Sequence, residues 1–239
     1  MKTVIVLLTW QRMHSLKSTL QGLLEQTYQD FDIYISNGNL NPVAKSNVEK
    51  YAKIYQGRGL NIEFSHDGND LYAFRRFTVG KKLYEAGYDV VMYIDDDITF
   101  PSTYVENCIT QYEPKTYKSG FAWTFYNNGS SYYKYRERVY KNDGTPIHYC
   151  GTGISMIDAS IFKEEGLLDA PKGAYKIEDL WLSYYAQHVL KWDLKYMNTP
   201  NVVIGGSDRV ALFKEIQKDK YNKNSFLRDL VAMGWKIPK

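Results

Sequence analysis

Val90-Val91-Met92-Tyr93-Ile94-Asp95-Asp96-Asp97 is the stretch on which the fold of this chain turns. Its five apolar residues read as a strand buried on both faces, as in a parallel sheet. Three aspartates then close the run. Carboxylates packed this closely repel one another, so the block is costly without a cation. Hard divalent ions take oxygen ligands and often bridge a carboxylate to substrate phosphates. In open α/β sheets, ligands bind outside the carboxyl ends of the strands. The stretch therefore predicts a metal-phosphate site, favoured over a solvated acidic turn by the apolar run before it and Pro101 after it.

Upstream, the pattern is strand-helix repeated. Val4-Ile5-Val6-Leu7-Leu8 reads as a central strand, and Leu16, Leu20, Leu23 and Leu24 mark a helix that Ser15 is placed to cap. Phe31 to Ile35 and Leu60 to Phe64 read as further strands, with Ser36-Asn37-Gly38-Asn39 as turn chemistry between the first of them and a helix over 42–55. A helix over 71–86, stopped by Gly87, leads into the aspartate strand. This alternation predicts an α/β fold with a mostly parallel, doubly wound central sheet and right-handed crossovers.

Downstream the texture changes. A helix is expected over 102–112, an aromatic strand over 121–126, and an alternating aromatic-basic strand over 132–140, followed by an Asn142-Asp143-Gly144 turn. Gly151-Thr152-Gly153 precedes an apolar strand and reads first as a tight turn into it, and second as small residues that would let backbone approach a ligand closely. Glu178-Asp179 opens an amphipathic helix, where acids either serve the helix N-terminus or face a cleft as a base. The lysines Lys214, Lys218, Lys220 and Lys223, mixed with acids, read as a solvated helix face. A loop closing over a diphosphate is the sharper alternative for this tail.

The net charge of +3 is too small to argue for nucleic acid. The apolar run Thr3 to Thr9 is too short for a signal-peptide core, and no run approaches a transmembrane span. Cys108 and Cys150 fit no metal motif and no disulfide framework, so both are expected as buried thiols of a reducing, cytoplasmic compartment, a host cytoplasm for a viral chain.

Taken in order, these motifs resemble nucleotide-sugar glycosyltransferases of the GT-A fold, the family typified by bacterial polysaccharide synthases. Gln26-Thr27-Tyr28-Gln29-Asp30-Phe31-Asp32-Ile33 matches its Gln-Thr-Tyr-x-x-Phe-(Glu/Asp)-Ile pattern closely; Leu8-Thr9-Trp10-Gln11-Arg12 matches its first turn loosely. Asp95 and Asp97 match its Asp-x-Asp motif, Glu178-Asp179 its later Glu-Asp motif, and Arg75 or Arg76 its arginine before the metal motif. The likeness is good over residues 3–105 and rests on two short motifs beyond. Ser36-Asn37 stands where the family usually has an aspartate that reads uracil, and no tail histidine offers a third metal ligand, leaving Asp208 or water.

The resemblance implies a single domain, 1–239, with residues 1–100 binding the nucleotide sugar and 101–239 the acceptor. It implies Mn²⁺ or Mg²⁺ on Asp97 and Asp95, and donor contacts from Thr9, Arg12, Asn37, Arg76, Asp95, Asp96, Gly151 and Gly153. Asp179 is then the base of an inverting transfer, with Trp123, Tyr132, Glu178 and Trp181 on the acceptor side. The expected partners are a UDP-sugar or other nucleotide-sugar donor and a glycan, glycolipid or glycoprotein acceptor, without nucleic acid. Asp95-Asp96-Asp97-Ile98-Thr99 also spells the nucleophile motif of haloacid-dehalogenase-like phosphatases, though that motif normally ends a first strand. A catalytically inactive glycan-binding domain is the non-enzyme alternative.

Overall fold

A computed structural model describes residues 1–204 and 222–237. Its strands are β1 (Thr3–Thr9), β2 (Asp32–Asn37), β3 (Ile62–His66), β4 (Val90–Asp95), β5 (Ile98–Thr99), β6 (Thr116–Ser119), β7 (Ala122–Phe125), β8 (Arg136–Val139), β9 (Tyr149–Cys150), β10 (Ile154–Asp158), β11 (Asp193–Tyr196) and β12 (Val203–Ile204). The main sheet runs β11-β6-β10-β4-β1-β2-β3. β1 pairs in parallel with β2 and β4, and β2 with β3. β10 alone runs against its neighbours, antiparallel to both β4 and β6, while β11 is parallel to β6. The fold is the expected α/β class with a mostly parallel sheet. That sheet takes β1–β4 from the first hundred residues and β6, β10 and β11 from beyond them.

The continuous apolar runs are explained by burial on both faces. Alternate side chains of one strand enter opposite layers. Val4, Val6, Val91 and Tyr93 join one core cluster; Ile5, Leu7, Met92 and Ile94 join the other. The second layer is closed by α1 (Met13–Leu24), α2 (Pro42–Gln56) and, further along, α4 (Tyr104–Ile109). Leu16, Leu20 and Leu23 form the buried stripe of α1, each contributing about 1.5–3 kcal/mol of apolar burial. The other layer is closed by α3 (Arg75–Glu85) with α5 (Glu165–Leu168) and α6 (Glu178–Tyr184).

Several local expectations shift. Ser15 lies inside α1, whose N-cap is Arg12 with no side-chain cap bond. Ser36 and Asn37 extend β2, because Gly38 N–H bonds to the Thr9 carbonyl (2.9 Å) and the turn begins only there. The helix expected over 71–86 is a 3₁₀ turn, Tyr72–Phe74, running into α3; Gly87 follows with φ +81°. Asp179 does not cap α6: Glu178 and Asp179 are its first two helical residues. The aromatic-basic stretch pairs only over Arg136–Val139, in a separate sheet of order β8-β7-β9. Among the described residues, no helix is long and apolar enough to cross a membrane.

Two consequences position the site. Register sets Thr9 beside Asn37 and Leu8 beside Asp95, so β1, β2 and β4 end at one edge of the sheet. Antiparallel β10 starts at that same edge. Its entry turn, Gly151-Thr152-Gly153, therefore lies against the aspartates, with Asp95 N–H bonded to the Gly153 carbonyl (2.9 Å).

Candidate active site

Asp95 is the last residue of β4, and Asp96-Asp97 turn the chain into β5. The three carboxylates differ in exposure, although Asp96 and Asp97 lie in a turn rather than in the extended segment that strict alternation would need. The Asp95 and Asp97 side chains are partly open (39% and 18% exposed), while Asp96 is buried at 2%. Burial pushes the Asp96 carboxyl up to about 7; Arg12 opposes this, and Asp95 and Asp97 add to it. Arg12, at the head of α1, meets both later aspartates: Nη2 lies 2.5 Å from Asp96 Oδ1, and Nη1 donates to Asp97 Oδ2.

Two adjacent arginines open α3 and do different work. Arg75 braces backbone, donating to the carbonyls of Thr9 (3.0 Å) and Gly68 (3.1 Å). It fits because residue 38 is glycine: a Cβ there would lie 1.8 Å from Arg75 Nη1. Arg76 spans two motifs, donating from Nη2 to Asp95 Oδ1 and from Nη1 to Glu178 Oε1 (2.6 Å). Burial works against its charge, but Asp95 and Glu178 outweigh that and hold the guanidinium above its usual range. Thr152 Oγ1 adds a hydrogen bond to Glu178 Oε1 (2.8 Å). The Asp-x-Asp and Glu-Asp motifs, eighty residues apart in sequence, are thus tied by one buried side chain.

Asp179 has both oxygens engaged. Oδ1 accepts from Leu180 N–H (2.9 Å), and Oδ2 accepts from Tyr149 Oη and Lys223 Nζ (2.8 Å). Lys223 opens the helix Lys223–Ala232, which Asn222 caps. It is no member of a solvated face: its half-buried ammonium lies against the rings of Tyr132 and Tyr149, at 5.0 and 5.3 Å. Burial alone would lower it, but Asp179 dominates and keeps it charged. Tyr149 and Lys223 were not anticipated from sequence. The lysine's spacing among acids resembled a surface helix, and nothing local signalled the partner.

Other candidates are placed differently. Asn37 is fully buried, donating to the Asn39 carbonyl (2.9 Å) and facing His66 Nδ1 at 3.0 Å. Thr9 is buried, and its carbonyl serves Arg75 and Gly38. Trp181 is core: its indole donates to the Leu167 carbonyl (2.8 Å) and its ring packs on Tyr184 and Tyr185. Direct ligand contact by Asn37 or Trp181 would require them to leave these partners. Tyr132 is also buried, whereas Trp123 is half-buried and Tyr133 exposed. Gly151 packs on Phe121, and a Cβ on Gly153 would lie 2.3 Å from Asp95 Oδ2. Cys108 and Cys150 are buried free thiols. Asp208, Lys214, Lys218 and Lys220 lie outside the described residues.

Residues 4–166 match the sequence model of Glycosyl transferase family 2, more than half of the chain. The chain belongs to that family. It is a glycosyltransferase, and Asp95 accordingly ends the fourth strand of a transferase sheet rather than the first strand of a phosphatase. No curated protein sequence matches it. Solved structures that resemble the glycosyltransferase include GalNAc-T7 with UDP, GalNAc and Mn²⁺ (TM-score 0.66, 14% identity, 98% of this chain and 48% of that one). TarS 1-349 of S. aureus with UDP is also similar (TM-score 0.60, 15% identity, 98% and 70%). So is a mannosyltransferase from Pyrobaculum calidifontis with GDP-Man and Mn²⁺ (TM-score 0.54, 13% identity, 97% and 68%). At these identities the likeness is one of fold. Glu178, Asp179 and Lys223 lie beyond the family match.

Proposed function

We propose that this glycosyltransferase moves a sugar, with inversion, from a nucleoside diphosphate donor, UDP favoured, to the hydroxyl of a glycan acceptor. We take the chain as one domain, residues 1–100 serving the donor and 101–239 the acceptor. The observation that carries the proposal is Arg76, which holds Asp95 and Glu178 and so brings the Asp-x-Asp edge beside Asp179.

A divalent cation fits the donor edge. Asp95 and Asp97 supply carboxylate oxygens that are partly open, and no group of three or more His, Cys, Asp or Glu gathers as a cage among the described residues. Mg²⁺ and Mn²⁺ suit such a site, since ions of this class use one or two carboxylates and take further ligands from substrate phosphates. Asp97 would be the direct ligand and Asp95 would take the ribose or a metal-bound water. Bound there, the cation would neutralise charge on the leaving diphosphate. That two structures of similar fold contain Mn²⁺ with GDP-Man or with UDP supports the choice.

Asp179 is the proposed base, taking the proton from the acceptor hydroxyl as it attacks the anomeric carbon. Lys223 and Tyr149 hold its carboxylate in place, with one oxygen oriented by the Leu180 N–H. Arg12 is placed to follow the diphosphate, since it already sits on Asp96 and Asp97.

Calorimetric titration with UDP, GDP and dTDP, with and without Mn²⁺, tests the donor half. One diphosphate is expected to bind only with metal; no binding by any of the three would overturn the donor assignment. Gly153→Ala gives a local check. The added Cβ must displace the Asp95 carboxylate from Arg76. Losing a charge-assisted bond of about 1.5–3 kcal/mol predicts diphosphate affinity at least about tenfold weaker. The thermal midpoint should fall by only a few degrees, roughly 2–4 °C per kcal/mol at this chain length. Unchanged affinity would separate Asp95 from the donor.

A further inference from the structure

Strand β8 carries two guanidinium groups that no carboxylate answers among the described residues. Arg136 and Arg138 share one face of the strand with Trp123, which lies opposite Arg138 in register on β7. Arg136 rests over the rings of Trp123 and Tyr132, both at 4.3 Å, with Tyr133 at 5.9 Å. Arg138 lies over Phe121 (4.5 Å), Trp123 (5.4 Å) and Tyr140 (5.4 Å). Its Nη2 donates to the Gly120 carbonyl (2.6 Å), but its buried Nε has no hydrogen-bond partner. The one acid on β8, Glu137, points to the opposite face and accepts from Tyr126 Oη (2.7 Å). Arg12 and Arg76, by contrast, each meet two carboxylates.

Ring contacts engage the flat face of a guanidinium and leave its N–H edge for a planar or tetrahedral anion. Arg136 is half-buried, so that edge is held on an aromatic platform while still reached from solvent. The platform adjoins the proposed base: the Tyr132 ring contacts Arg136 on one side and Lys223 Nζ, at 5.0 Å, on another, and Lys223 holds Asp179. A path thus runs from the aspartate edge through Arg76 to Glu178, along the backbone to its neighbour Asp179, and through Lys223 and Tyr132 to Arg136.

We propose that Arg136, seconded by Arg138, binds an anionic group of the acceptor, so that the glycosyltransferase acts on an acidic glycan bearing carboxylates or phosphodiesters. This deepens the proposed function and rests on its placing of the acceptor at the Asp179 end. A neutral glycan gains nothing from an unanswered guanidinium, whereas an acidic one supplies the missing ion pair.

Three five-unit probes test it: penta-galacturonate, a glycerol phosphate pentamer and neutral maltopentaose. Each is titrated into protein saturated with UDP and Mg²⁺, so that the donor edge is filled, and again without nucleotide. At least one anionic probe is expected to bind about tenfold or more tighter than maltopentaose, with affinity falling as NaCl is raised. Which anionic probe wins identifies the anion. Arg136→Gln should abolish the preference, Arg138→Gln should weaken it, and Arg136→Lys should restore it only in part, because an ammonium lacks the planar fork. Unchanged UDP affinity in these variants certifies their fold. Equal affinity for the neutral and both anionic probes, undetectable binding of both anionic probes, or a preference that survives Arg136→Gln would overturn the inference. Failure of UDP itself to bind strikes instead at the donor assignment, and the nucleotide-free titrations still judge Arg136.

Discussion

Asp179→Asn is expected to abolish sugar transfer and to leave UDP binding in the presence of Mn²⁺ unchanged. The amide keeps the size of the carboxylate but cannot take a proton from the acceptor hydroxyl. Loss of a positioned general base costs about 10²–10⁴-fold in rate. UDP release during turnover, followed against acceptor concentration, gives kcat, and the anomeric configuration of the wild-type product is read by NMR. Near-normal transfer by the variant, or a product that retains the donor's configuration, would sink the assignment. The variant carries a second signature. Lys223 is left as a half-buried ammonium without its carboxylate. Losing a charge-assisted bond costs about 1.5–3 kcal/mol, a fall of several degrees in thermal midpoint at roughly 2–4 °C per kcal/mol. Adding Lys223→Met to Asp179→Asn should recover most of that stability and none of the activity, separating the structural part of the pair from the chemical one.

Asp97→Ala is expected to remove the metal dependence of nucleotide binding. Asp97 is partly exposed, and Arg12 retains Asp96 when it is gone, so the fold should tolerate the change. UDP affinity measured with Mn²⁺ should fall to the metal-free value of the wild type, a loss of about 100-fold if one direct ligand and the bridging charge go together. A persisting enhancement by Mn²⁺ would move the metal away from this carboxylate.

The first hundred residues were legible because their signals are local. Continuous apolar runs at Val4–Leu8 and Val90–Ile94 can be buried only on two faces, and the helices between them carry plain leucine stripes. Asp96 is the buried one of the three aspartates, but in a turn rather than an extended segment, and Arg12 meets both Asp96 and Asp97. The second half was less legible. β6 and β11 are short, polar at their ends and paired only with partners distant in sequence, so no periodicity announced them. Trp181 and Tyr132 are aromatics of the kind that suit both sugar contact and core, and both are buried. Lys223 was misassigned for a related reason. Its helix is amphipathic in the ordinary way, and only the tertiary fold puts its first turn on Asp179.

The reversed strand β10 also sets a condition on biosynthesis. Ile94 of the aspartate strand pairs with Ile154, about sixty residues later in the chain. Until β10 has left the ribosome, β4 is paired on one side only, by β1, and offers a bare, apolar ladder on the other. Such edges recruit foreign strands. A message or protease that stops the chain before residue 154 should therefore yield aggregate rather than a small nucleotide-binding fragment, even though every residue of the aspartate motif would be present.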